Sequence, residues 1–102
     1  MVIRLDSDNY EEIINGNKKV LVDFFADWCG PCKMMGPIVE AFSEEHSDIV
    51  VAKVNIDDEM EIAEKNMVSS IPTLVVFEDG KAARRSVGAI SKTELLAFVQ
   101  GE

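Results

Sequence analysis

Lys19-Val20-Leu21-Val22-Asp23-Phe24-Phe25-Ala26, with Trp28-Cys29-Gly30-Pro31-Cys32 directly behind it, sets the architecture of the chain. The first part is β-branched and aromatic, a strand composition. Beyond Lys33, apolar residues at Met35, Ile38, Val39 and Phe42 keep helical spacing. Cys29 therefore falls at a strand-to-helix turn, at or just before a helix N-terminus. Pro31 suits the first helical turn, where its missing N–H is not needed. Unpaired backbone N–H groups and the positive end of the helix dipole favour an anion there, and the Cys29 thiolate is the anion on offer. Cys32 lies in the first turn, directed inward and near enough to close a small disulfide ring with Cys29. One thiol is placed to attack and the other to resolve.

The chain is 102 residues long, enough for one domain, 1–102, with its own core. Ten basic residues against nineteen acidic give a net charge of −9, which disfavours nucleic acid and anionic membranes as partners. No stretch approaches the roughly 20 apolar residues of a membrane span. Met1-Val2-Ile3-Arg4-Leu5-Asp6 lacks the apolar region of a secretory signal, and its acidic continuation argues against a transit peptide. These features predict a cytoplasmic protein. In a reducing compartment a C-x-x-C near a βαβ pattern is redox-active or metal-binding rather than structural.

Along the chain, Val2–Leu5 reads as a short strand, and Ser7 or Asp8 as the cap of a helix with Tyr10, Ile13 and Ile14 inward, ending near Gly16. The helix after Cys32 contains Pro37, which removes a hydrogen bond and kinks it, with Gly36 weakening it further. Asp48–Ile56 is another strand. Asp57 or Asp58 starts a short helix that ends near Asn66, and Thr73–Phe77 is the next strand. Asp79-Gly80 is a hairpin signal, so the strand Lys81–Val87 runs antiparallel to the one before it. Ser91-Lys92-Thr93-Glu94 is a capping box for a last helix with Leu95, Phe98 and Val99 inward. The order β-α-β-α-β-α-β-β-α predicts an α/β fold in which parallel strands joined by crossovers end in one hairpin, with helices on both faces.

The candidate residues each have a plainer reading. The two cysteines could form a structural disulfide, half a zinc site or ordinary buried thiols. A structural zinc takes four ligands, however, and the chain offers these two and a distant His46, which reads as a surface residue. A disulfide across so short a loop stabilises little. Asp23 stands in a strand that is apolar on both faces. Desolvation should raise its pKa toward neutrality, unless it escapes to water at the strand end. Lys53 alternates with Val50, Ala52, Val54 and Ile56, so periodicity alone puts it on a solvated face. Pro72 reads as a turn proline and Gly88 as a strand-end glycine. Trp28, beside Cys29 at a loop tip, reads as a partly exposed cover over the thiol. Met34, Met35, Met60 and Met67 read as core filler.

Trp-Cys-Gly-Pro-Cys behind an apolar strand resembles the active site of the thioredoxin family, and the resemblance runs along nearly the whole chain. It implies the thioredoxin fold, a mixed five-stranded sheet with four helices on its two faces. It matches Asp23 to the buried carboxylate that accepts the proton of the resolving cysteine, through water, and Lys53 to the lysine that modulates it. Ile71-Pro72-Thr73 matches the segment whose proline is cis and faces the disulfide. Gly88-Ala89 matches a loop beside the site, completing a shallow apolar patch with Trp28, Gly30, Pro31, Ile71 and Pro72.

The Gly-Pro pair is that of reducing members, so the resemblance implies a protein-disulfide reductase acting on disulfide-containing proteins. A flavin-containing, NADPH-dependent thioredoxin reductase would recharge it. No bound cofactor or metal is expected, and the expected state is a monomer. Phe25 replaces a tryptophan common in the family, and Gly36 an alanine. Both bear on tuning and stability rather than on the reaction. The rival readings are an oxidase or isomerase of the same fold, with a more oxidising couple, and a non-enzymatic binding module indifferent to loss of both cysteines.

Overall fold

The computed structural model describes residues 1–102. They fold as β1 (Val2–Arg4), α1 (Tyr10–Asn15), β2 (Lys19–Phe25), α2 (Gly30–Glu45), β3 (Val50–Asn55), α3 (Met60–Lys65), β4 (Thr73–Glu78), β5 (Lys81–Val87) and α4 (Lys92–Gln100). This is the element order read from the sequence. The strands form one sheet in the order β1-β3-β2-β4-β5, which puts the apolar β2 at its centre. Alternation along the strands divides the core in two. Val20, Val22 and Phe24 join Ala52, Val54 and Val75 under Tyr10, Ile14 and Ile62, the face covered by α1 and α3. Leu21, Val51, Leu74 and Val76 pack against Met35, Val39 and Phe42 of α2 and Leu95 and Val99 of α4. Asp23 has the parity of Leu21, so it points toward the α2 side.

Strand direction departs from expectation at β4. It runs antiparallel to β2, pairing Asp23 with Leu74 and Phe24 with Thr73, so β4 rather than β5 is the reversed strand. The hairpin β4–β5 is antiparallel as expected. The segment from Ile56 to Pro72 starts and ends at the same end of the sheet, since Phe24 pairs with Val54 near the end of β3 and with Thr73 at the start of β4.

Two helix starts also differ. Asn9, not Ser7 or Asp8, precedes α1. Asp6 Oδ1 accepts from the N–H groups of Asp8 and Asn9, and Asn9 Oδ1 accepts from Asp6 N–H, closing the turn from outside the helix. Glu59 precedes α3 with no side-chain cap, and the carboxylates of Asp57 and Asp58 accept instead from Trp28 and Arg4. The signals at the other end hold. Asp79 and Gly80 both have positive φ (52° and 83°), the primed-turn geometry of a two-residue hairpin. Ser91 and Glu94 form the capping box of α4.

The C-terminal end of α4 is fastened to the sheet by charge. Arg84 of β5 donates through Nε to Phe98 O at 2.9 Å and through its terminal nitrogen to Val99 O at 2.7 Å. Lys19 of β2 donates to Val99 O at 3.1 Å, and both cations meet Glu78. Cations suit the negative end of a helix dipole. Replacing Arg84 by Ala removes two charge-assisted hydrogen bonds, leaving Val99 O to Lys19 and Phe98 O to the Gly101 N–H, and is expected to lower unfolding stability by about 1–3 kcal/mol. The check is a lower urea midpoint at unchanged slope, with disulfide reduction per folded molecule intact.

Candidate active site

The loop after β2 turns so that Cys29 N–H donates to Ala26 O at 3.3 Å and Cys29 becomes the N-cap of α2, with Pro31 in the first turn. Cys29 and Cys32 are joined as a disulfide, their Cα atoms 5.2 Å apart. Cys32 N–H donates to Cys29 Sγ at 3.2 Å, so a backbone dipole at the helix start points at this sulfur. Both cysteines are 5% exposed and pack with Ala26, against Phe25, Ile56 and Ile71.

Two chain segments, one ahead of β4 and one behind β5, flank the disulfide. The Ile71–Pro72 peptide is cis, and Ile71 O lies 3.8 Å from Cys29 Sγ. Gly88, at φ 99°, donates its N–H to Pro72 O at 2.8 Å, which fastens the end of β5 to the proline segment. Gly30, Pro31 and Ala89 are exposed in the surface around them. Trp28 is 69% exposed, and its indole N–H donates to Asp57 Oδ2 at 2.8 Å. Asp57 is itself oriented, its N–H donating to Asn55 Oδ1 at 2.9 Å.

Beneath the disulfide, Asp23 is 4% exposed and its Oδ1 has no hydrogen-bond partner in the protein. Burial outweighs the opposing pull of the Lys53 ammonium and leaves the carboxyl raised from 3.8 to about 6. Lys53 is the register partner of Asp23 across the β2–β3 pair. Periodicity placed it correctly opposite Val50, Ala52, Val54 and Ile56, but that opposite face is not solvated. Val51 and Asn55 on either side of it are buried, and Lys53 is half-buried. A cavity of about 210 Å³ joins Asp23 and Lys53 to Cys32, and Asp27, Lys33 and Gly36 also line it.

The sequence-predicted cysteines, Asp23, Lys53, Trp28, Ile71, Pro72 and Gly88 are thus brought to one end of the sheet, the carboxyl end of β2. Sequence reasoning missed Asp57, whose acidic neighbours read only as a helix start, and Met35, whose Sδ accepts from Ile90 N–H at 3.3 Å beside the Gly88 loop. The methionine reading holds for Met35 alone. Met34, Met60 and Met67 are exposed. His46 is half-buried, stacked on Phe42 with ring centroids 4.4 Å apart. No three His, Cys, Asp or Glu side chains cluster as metal ligands, and no helix is long and apolar enough to cross a membrane.

Comparison with known proteins agrees with this geometry. A sequence model of the thioredoxin family matches residues 1–101. A thioredoxin of Chlamydia caviae is 46% identical, over 97% of this chain and 96% of its own length. Thioredoxin-2 of Saccharomyces cerevisiae is 46% identical, over 87% of this chain and 88% of its own length. The structure of Plasmodium falciparum thioredoxin superposes with a TM-score of 0.92 at 34% identity, covering 98% of each chain. With a redox-active pair at a helix N-terminus on this fold, the chain belongs to the thioredoxin family and is a protein-disulfide reductase working by dithiol–disulfide exchange through Cys29 and Cys32.

Proposed function

We propose that Cys29 is the attacking thiolate, Cys32 the resolving thiol and Asp23 the acceptor of the Cys32 proton. The observation that carries this division is the asymmetry beneath the disulfide. Cys29 Sγ receives the helix N–H, while Cys32 shares its cavity with a buried carboxyl. In the reduced protein, Cys29 thiolate attacks one sulfur of a substrate disulfide. One Cys29–substrate bond forms, the substrate S–S bond breaks, and a thiolate leaves. Cys32 gives its proton to Asp23 by way of water and attacks Cys29 Sγ. The second substrate thiol is released and the Cys29–Cys32 disulfide closes, two electrons having passed to the substrate. A carboxyl near 6 is mostly ionised at neutral pH yet basic enough to take a proton. Lys53 across the strand pair modulates that charge.

Trp28, Gly30, Pro31, Ile71, Pro72, Gly88 and Ala89 form the substrate surface in this reading. An extended segment of the target pairs with the Ile71 backbone like an added strand. The partners are disulfide-containing proteins and a flavin-containing, NADPH-dependent thioredoxin reductase that restores the dithiol. The protein works as a single-domain monomer in the cytoplasm, with no bound cofactor beyond its own disulfide. The test is an equilibrium titration of the pair against dithiothreitol or glutathione. A potential near the family value of about −270 mV supports a reductant, and one of about −120 to −180 mV overturns that reading in favour of an oxidant or isomerase.

A further inference from the structure

Gly36 is unexplained by backbone geometry. It lies inside α2, where glycine weakens a helix relative to alanine. Its φ is not in the left-handed region, and a Cβ built on it meets no atom within 4 Å. Nothing in the local packing demands glycine. Its position does carry a consequence. It is one turn beyond Cys32, and residues four apart share a helix face. Both line the cavity that reaches Asp23, so a side chain at 36 enters open space at the rim of that cavity.

We infer that Gly36 is a positioning residue for proton transfer: by lacking a side chain it keeps the Asp23 cavity open to water, which solvates the carboxylate and links it to Cys32. The inference rests on the reading of Asp23 as proton acceptor. Three observations support it. Asp23 Oδ1 is buried without a protein partner, and buried polar atoms need one. A space of about 210 Å³ admits several waters at about 30 Å³ each. The charged or titratable groups around it are Lys53 from β3, Asp27 from the loop before α2, and Cys32 and Lys33 from α2, while β4 presents Leu74. A Cβ at position 36 touches none of them.

The test is a graded series, Gly36→Ala and Gly36→Leu, beside Asp23→Asn. Reduced protein is mixed with an aromatic disulfide such as Ellman's reagent, whose two thiolates leave in separate steps. The second step reports closure by Cys32 and is followed from pH 5 to 9, while carboxyl NMR follows Asp23. The inflection of the closure rate and the Asp23 midpoint are expected to rise together, by about half a pH unit for Ala and about one for Leu, as the carboxylate loses water. Closure at pH 6 slows about twofold and about fivefold respectively. Thermal stability of the Ala variant rises, as the helix gains from losing glycine. If Asp23→Asn removes the inflection while both Gly36 variants leave it in place, the Gly36 inference is overturned and the Asp23 reading stands. If Asp23→Asn leaves the inflection unmoved, the acceptor reading fails and takes the Gly36 inference with it.

Discussion

A Cys32→Ser variant is expected to take up one equivalent of a protein disulfide at Cys29 and stop there. As whole residues the two cysteines are equally buried, and electrostatics separates them. Cys29 is the N-cap, and the N–H of residue 32 points at its sulfur. Serine retains that N–H, so the Cys29 thiolate keeps its stabilisation while its resolving partner is gone. Cys29→Ser removes the stabilised thiolate itself and should lower disulfide reduction by about a thousandfold or more, since a serine hydroxyl does not ionise near neutrality. Intact mass measurement distinguishes the two: an adduct of one substrate chain for Cys32→Ser, and none for Cys29→Ser. Adduct formation on Cys32 at a comparable rate in Cys29→Ser would overturn the assignment.

What made this site legible was local sequence. The strand composition of Lys19–Phe25, the C-x-x-C and the helical spacing beyond it are neighbours in the chain, and their meaning survives without the rest of the fold. Asp23 stood out because one carboxylate interrupts an apolar run. Lys53 did not, and the reason is instructive. Alternation in Val50–Ile56 tells which residues share a face, but not whether a helix covers that face, and α2 comes from a different part of the chain. Trp28 and Asp57 are 29 residues apart, and nothing in either segment announces the hydrogen bond that joins them. The reversal of β4 was likewise invisible to residue pattern: α1 and α3 have the same length, yet one joins parallel strands and the other antiparallel ones. Methionine misled for a simpler reason. Its unbranched side chain serves cores and exposed contact surfaces alike, and helical spacing with Ile38, Val39 and Phe42 rather than residue type separates buried Met35 from exposed Met34.

Asp23→Asn is expected to make the protein more stable at neutral pH while impairing closure of the disulfide. The folded carboxyl sits at about 6 against 3.8 when ordinarily hydrated. Below about pH 4 both folded and unfolded states hold the proton, and the residue costs nothing through its charge. As pH rises toward 6 the unfolded chain ionises while the folded one keeps its proton, so stability falls with pH across this window. Above it the folded state holds a buried charge, and the loss amounts to about 3 kcal/mol at about 1.4 kcal/mol per pH unit. Asparagine abolishes that slope, though its amide inherits the lack of a partner, at about 1–3 kcal/mol. The net gain at pH 7 is therefore up to about 2 kcal/mol in the oxidised protein, shrinking or reversing at pH 4. Urea unfolding of both proteins from pH 4 to 8 checks it. Parallel curves across that range would mean that the carboxylate is hydrated through its cavity as well as it is in the unfolded chain. A wild type that is stabler at pH 7 would mean that Lys53 does more for the charge than burial does against it. The expected result instead places a destabilising group in the central strand, directly under the disulfide. A stability cost at that position fits the role of proton acceptor proposed for Asp23.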